Sequence, residues 1–233
     1  MPNVAIILVS PQMGENIGAC ARAMKNFGLC DLRIVSPRDG WPNAKAEANA
    51  ALAADVIQNA KIYSNLPDAI ADLHYLYATT AQVRNMNKDY VTTKNLSVNF
   101  PKNQKVGIMF GRENNGLTNE EIALSNEIIV VDTNPDCSSL NIAQAVLLVC
   151  YELFEVGKRA DLVNNQELCT KNEMNYFIDH LVRALDDISF FKSEEKRNYM
   201  VQNITNIFTR IEKLSHNEIQ TLRGIVSSFS KTR

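Results

Sequence analysis

Short apolar runs alternate along the first two-thirds of the chain with stretches of helical period. Val4 to Val9 is six residues long and rich in β-branched side chains, so it predicts a buried strand. Leu32 to Val35, Lys61 to Tyr63, His74 to Ala78, Val106 to Phe110 and Ile128 to Val131 predict further strands. Between them the pattern predicts a helix over Asn16 to Phe27, with Asn16 as N-cap and Gly28 as the stop. The alanine-rich Ala44 to Gln58 predicts a second helix, and Pro67 opens a short third. Thr118 with Glu121 is a capping box for another. Ser139 to Val156 predicts a long helix, apolar through most of its length. Residues 82–104 are polar and without period, and are expected to be mostly loop.

Strands alternating with helices imply an α/β fold, a mostly parallel sheet with helices on both faces. From Gly157 the pattern changes. Residues 157–169 are polar, and beyond them only helical patterns occur, opened by capping boxes at Thr170/Glu173 and Ser215/Glu218. The expected organisation is a domain over 1–157, a linker over 158–169 and a small all-helical extension over 170–233.

Composition narrows the class. The chain has 233 residues, 45% of them hydrophobic and 21% charged, enough to bury a core and too apolar for a disordered chain. No apolar run approaches the ~20 residues of a membrane helix, and no secretory leader is visible, so a cytoplasmic protein without membrane contact is expected. The five cysteines are scattered, with no CxxC pair, and there are only three histidines, so neither a metal site nor a disulfide framework is expected. The net charge of -2 excludes a general nucleic-acid coat. Charge is uneven, however: residues 191–233 hold 8 basic against 4 acidic side chains. That tail can meet phosphates locally or simply present a solvated helix face.

Parallel sheets bind ligands outside the carboxyl ends of their strands, so the loops after strands are the ones to read for chemistry. These are Pro11 to Asn16, Thr79 to Arg84, Gly111 to Gly116 and Asp132 to Asn141. None is a Walker loop, a dinucleotide fingerprint or a hydrolase elbow. Three segments taken together do carry a pattern. Asn16-Ile-Gly-Ala-Cys-Ala-Arg22 through Gly28, Phe110-Gly-Arg-Glu-Asn-Asn-Gly-Leu117 and Pro135-Asp-Cys-Ser-Ser-Leu-Asn141 resemble, in order and spacing, the three motifs of the SPOUT RNA methyltransferases. The helical extension is similar to that of the TrmJ branch, whose members methylate the ribose 2′-oxygen of the pyrimidine at position 32 of tRNA.

The resemblance implies a deep trefoil knot between roughly Leu76 and Glu155, an obligate homodimer with each active site at the subunit boundary, S-adenosylmethionine as cofactor and tRNA as substrate. It implies Arg22 and Ser139 as the catalytic pair. Arginine stays protonated at working pH, which suits a clamp on the phosphate beside the target ribose better than a base. Ser139 would hold the ribose hydroxyl, or cap the following helix, or both. Thr79, Thr80, Ala81, Gly111, Val131, Ser138, Ser139 and Leu140 would line the cofactor pocket, with Gly111 letting backbone approach the cofactor. Asn16, Arg22, Glu113 and Asn141 would face the substrate, and for Glu113 a purely structural hydrogen bond is an equal reading.

Two positions depart from the family pattern. Glu15 stands where glycine is usual, and a carboxylate beside a phosphate-binding loop is unfavourable unless it points away. Asp132 stands where a small or apolar residue is usual. Alternatives are a SPOUT enzyme for another RNA position, against which the extension counts, and a non-catalytic RNA binder, against which intact Arg22, Ser139 and Asn141 count.

Overall fold

The computed structural model describes residues 3–81, 87–96, 98, 100–101, 103–159, 168–211 and 214–230. Seven strands form one sheet: β1 (Val4–Val9), β2 (Asp31–Val35), β3 (Lys61–Tyr63), β4 (Tyr75–Thr80), β5 (Asp89–Thr92), β6 (Val106–Phe110) and β7 (Glu127–Val130). Their order is β3-β2-β1-β6-β4-β7-β5, and every pairing is parallel. Strand β1 lies inside the sheet with Ile6 between Leu32 and Ile108, and all six of its residues are buried. A strand covered on both faces needs a continuous apolar run, which is what Val4 to Val9 supplies.

The β1 side chains divide between the two faces. Ile6 and Leu8 enter a core shared with α1 (Gly14–Asn26), α2 (Ala44–Ala50), α3 (Ala54–Gln58) and α6 (Ile142–Arg159). Ala5, Ile7 and Val9 enter the core under α4 (Leu66–Ile70) and α5 (Asn119–Ala123).

Several local expectations change. The alanine-rich stretch is not one helix: Ala51 takes a φ of 49°, and a short 3-10 turn at Ala51–Ala53 separates α2 from α3. Helix α1 begins at Gly14 rather than Asn16, and Asn16 caps nothing. Gly14 has no room for a Cβ, which would stand 2.1 Å from Asn43 Oδ1; Asn43 is the N-cap of α2. The helix stops at Gly28 (φ 73°), as expected. Strand β5 lies inside the stretch expected as loop; it is a half-exposed edge strand with no apolar alternation to announce it.

The C-terminal helices are α7 (Lys171–Asp187), α8 (Glu194–Arg210) and α9 (His216–Ser230). The boxes at Thr170/Glu173 and Ser215/Glu218 form as expected, and Ser193 caps α8. Met174, Phe177, Ile178, Val182, Ile219 and Val226 build a core of their own. Helix α6 runs to Arg159, into the stretch expected as linker, and residues 160–167 of that stretch lie outside the described residues.

This helical unit docks beneath the amino ends of β4 and β7. The backbone N–H groups of Lys171 and Asn172 donate to Leu73 O (2.5 Å) and Ala71 O (3.2 Å). Two buried ammonium groups seal the seam. Lys171 donates to Asn126 Oδ1; Lys88 donates to Ala123 O (2.8 Å), Ser125 O (2.5 Å) and the Thr209 hydroxyl on α8. Neither meets a carboxylate among the described residues. Burial lowers Lys171 to about 7, and burial with the neighbouring Lys171 and Arg210 charges lowers Lys88 to about 6.

Candidate active site

At the opposite, carboxyl end of the sheet the loops after β4, β6 and β7 enclose an open cavity of about 320 Å³. Such a position is where parallel sheets leave room for ligands, because strand ends diverge there. Thr79, Thr80, Ala81, Gly111, Val131, Ser138, Ser139 and Leu140, the residues expected to hold the cofactor, all line it. Glu113 lines it too, whereas Asn16, Asn141 and Arg22 do not.

The β6–α5 loop is a tight crossing. Arg112 and Gly116 exchange two backbone hydrogen bonds (3.2 and 2.8 Å), and Gly116 has a φ of 65°. A Cβ on Gly111 would stand 2.1 Å from the Gly116 carbonyl carbon and 2.2 Å from Leu117 N. A second reason for glycine at position 111 is thus the close approach of the loop's own returning backbone at Gly116 and Leu117.

Sequence reasoning missed the pin of this loop. Arg112 forms a two-pronged pair with Glu121 (3.0 and 2.9 Å) and reaches the Ser10 hydroxyl (3.3 Å) after β1. The Glu121 carboxylate raises the Arg112 pKa, and Glu121 also closes the α5 capping box. An arginine nine residues before a capping glutamate gives no periodic signal. Thr79, for its part, donates its hydroxyl to Met109 O (2.8 Å) and ties β4 to β6 at the cavity floor.

Three loops meet at the rim. The Glu113 carboxylate accepts the backbone N–H of Gln12 (2.9 Å) and Met13 (3.3 Å) and the Asn16 side-chain amide (2.9 Å). Asn16 in turn accepts from the Asn141 amide (3.1 Å). Asn141 also accepts the N–H of Ala143 (2.8 Å), so it, and not Ser139, caps α6. That corrects the capping alternative for Ser139, which is exposed beside the cavity with α6 starting three residues later.

Arg22 stands apart, exposed on α1 about 9 Å along the helix axis from Asn16 at 1.5 Å per residue. It makes no hydrogen bond or ion pair with a described residue. At the end of α1 Phe27 stacks edge-on with Tyr151 (5.8 Å) and near Phe154 (6.0 Å), and Tyr151, Phe154 and Leu147 of α6 are exposed.

The two departures resolve differently. Glu15 turns to Lys45 (3.0 Å), and its pKa is lowered by its own backbone N–H and by that lysine. The negative charge is therefore neutralised away from the loop. Asp132 is exposed and unpaired among the described residues. No group of three His, Cys, Asp or Glu side chains converges to hold a metal among the described residues. The cavity is lined by the apolar Phe110, Leu117, Leu140 and Ile142 and by uncharged polar residues, Thr79, Thr80, Asn114, Asn115, Ser138 and Ser139, while Arg112 and Glu113 are engaged elsewhere. That donor set fits a nucleoside-type cofactor held by loop backbone and van der Waals contact.

Comparison with known proteins covers nearly the whole chain. Residues 3–151 match the model of the SpoU rRNA Methylase family, and residues 172–233 match that of the tRNA methyltransferase TrmJ C-terminal domain. A tRNA (cytidine/uridine-2′-O-)-methyltransferase TrmJ of Photorhabdus laumondii is 35% identical over 99% of this chain and 98% of its own. A tRNA (cytidine/uridine/adenosine-2′-O-)-methyltransferase TrmJ of Pseudomonas aeruginosa is 30% identical over 99% and 95%. The crystal structure of TrmJ from Z. mobilis superposes with a TM-score of 0.89 at 39% identity, over 99% of this chain and 100% of that one.

Proposed function

The chain belongs to the SpoU methylase family, and from that premise we propose that it is an S-adenosylmethionine-dependent tRNA ribose 2′-O-methyltransferase acting on the pyrimidine at position 32. The observation that carries the reading is the convergence of the loops after β4, β6 and β7, with all eight expected cofactor residues, on one cavity. Its relatives' names support the substrate and the reaction.

S-adenosylmethionine, when bound, supplies a methyl group on an electrophilic sulfonium. The residues to hold it are Thr79 to Ala81, Gly111, Val131 and Ser138 to Leu140. A ribose hydroxyl is a poor nucleophile while protonated, so the protein must align it and assist loss of its proton. Ser139, exposed at the rim, both donates and accepts and so holds the hydroxyl. Asn141, exposed beside it, is the amide placed to meet the nucleotide. Arg22 holds the adjoining phosphate, whose oxygen takes the proton. Because Arg22 lies outside the cavity of its own chain, the reading requires a second subunit to complete the site. The exposed aromatic face of α1 and α6 supports a homodimer in which each Arg22 serves the partner's cavity. The trefoil knot implied by the three motifs belongs to the same reading.

The test is methyl transfer from labelled S-adenosylmethionine to unmodified bulk tRNA, followed by nuclease digestion and nucleoside mapping. A 2′-O-methylated pyrimidine at position 32 is expected. Label at another ribose retains the chemistry and discards the position; no label from a protein that binds the cofactor refutes tRNA as substrate.

A further inference from the structure

The hydrogen bonds that join the three loops have a direction, and their two ends fix it. At one end a carboxylate, Glu113, only accepts; at the other a backbone N–H, that of Ala143, only donates. Asn16 must therefore turn its NH₂ to Glu113 and its oxygen to Asn141, and Asn141 must turn its NH₂ to Asn16 and its oxygen to Ala143. Each amide has one allowed orientation. Asn16 stands in the first turn of α1, and Glu113 and Asn141 come from loops 97 and 125 positions further along the chain, so nothing local holds the three together. Both Glu113 oxygens are engaged by Gln12, Met13 and Asn16.

We propose that Glu113 is a positioning residue for the reaction, setting through Asn16 the orientation of Asn141 and hence the seat of the Ser138–Asn141 loop on the cavity rim. On this view Glu113 and Asn16 do not touch the RNA; only Asn141 does. The role rests on the methyl transfer proposed above for its activity readout, whereas its structural readouts do not depend on that reaction.

The direction of the chain can be reversed by exchange of charge, which gives a test. In Glu113→Gln one accepting oxygen becomes an NH₂, which must face either the Gln12 N–H or the Met13 N–H and the Asn16 amide. If Asn16 flips to accept it, Asn16 presents NH₂ to Asn141, and Asn141 can no longer accept from Ala143 without donor facing donor. In Asn141→Asp the second carboxylate oxygen faces the Asn16 oxygen. The double variant restores the contacts among residues 113, 16, 141 and 143 in reverse and gives up only the long Met13 N–H bond, which shares Glu113 Oε1 with Asn16. Its amide at position 113 donates to Asn16, Asn16 donates to the carboxylate at position 141, and that carboxylate still accepts from Ala143. Net charge is unchanged.

Thermal midpoint, S-adenosylmethionine affinity and kcat on tRNA are measured for the wild type, both single variants and the double. Each single is expected to lose roughly 2–4 °C in midpoint, Glu113→Gln about tenfold in kcat, and the double to recover most of the midpoint and of the S-adenosylmethionine affinity, while its rate stays low because residue 141 itself meets the RNA. A Glu113→Gln protein with the wild-type midpoint and rate overturns the proposal. So does a double variant no better in midpoint than the worse single. A Glu113→Gln protein that keeps the wild-type midpoint and cofactor affinity but loses rate would place the Glu113 carboxylate on the substrate, which also overturns it. Should the wild type not methylate tRNA, the proposed function falls while midpoint and cofactor affinity still decide the relay.

Discussion

The two buried lysines make the docking of the helical unit depend on pH in a calculable way. An unfolded lysine titrates near 10.4, whereas Lys171 is lowered to about 7 and Lys88 to about 6 in the folded chain. Between those values the unfolded chain binds protons that the folded chain does not, so stability rises with pH at up to about 1.4 kcal/mol per pH unit per lysine. From pH 7 to 8 the titration curves give a gain of up to about 2 kcal/mol for the pair. Carboxylates are fully ionised in that interval and do not reverse the sign. Above about pH 8.5 the buried thiols oppose it. Burial raises Cys20, Cys150 (to about 12) and Cys169 (to about 11), so the unfolded chain then loses protons that the folded chain keeps. Stability should therefore peak between pH 8 and 9. The assay is urea unfolding of the full chain at half-unit steps from pH 6.5 to 9.5, repeated on Lys171→Met. Methionine retains length and removes the charge, and Asn126 Oδ1 still accepts from Leu76 N (2.9 Å). The variant should lose about half of the rise between pH 7 and 8. A wild-type curve that is flat or falling there, or a variant with an undiminished slope, would refute the argument.

Other perturbations address the site. Arg22→Ala should abolish turnover with S-adenosylmethionine affinity retained, read by titration calorimetry beside the methylation assay; near-normal turnover sinks the phosphate-clamp role. Gly111→Ala puts a Cβ 2.1 Å from the Gly116 backbone and should destabilise by about 1–3 kcal/mol while weakening cofactor binding; an unchanged unfolding midpoint contradicts the crossing geometry. Ser139→Ala, now relieved of any capping duty, should retain the wild-type midpoint and lose at least about tenfold in kcat. A drop in midpoint without a drop in rate would reverse that assignment.

What can be read from residues alone follows from which signals are local. Continuous apolar runs announce β1 and β6 because both faces of those strands are covered. The boxes at Thr118, Thr170 and Ser215 announce their helices because the hydrogen bonds span three residues. The cofactor-side residues are placed by motif, and the structure gathers them on one cavity. What escapes is non-local. Asn16 resembles an N-cap, but its amide is held by Glu113 and Asn141 from distant loops, and the helix starts earlier because Gly14 packs on Asn43. Ala51 reads as helical because alanine propensity says nothing about the turn that packing imposes there. The burial of Lys88 and Lys171 is invisible along the chain, since nothing in a lysine's neighbours reveals that carbonyls and an amide from elsewhere will surround its ammonium. Strand β5 is hidden because an edge strand needs one partner and little apolar surface.

The strand order also sets a timetable for synthesis. Strands β1, β2 and β3 pair as sequential neighbours and can assemble once residue 63 has left the ribosome. The other edge of β1 stays open until β6 arrives, at residue 106, because Val4 pairs with Val106. At ~5–20 residues per second that edge waits several seconds, and it is apolar throughout. Every strand whose end borders the cavity belongs to the later half, β4, β6 and β7, so the nascent chain has no pocket until β7 at residues 127–130 has joined β4. A ribosome-bound chain arrested between those points would expose one open edge of a central strand, the segment most in need of a chaperone.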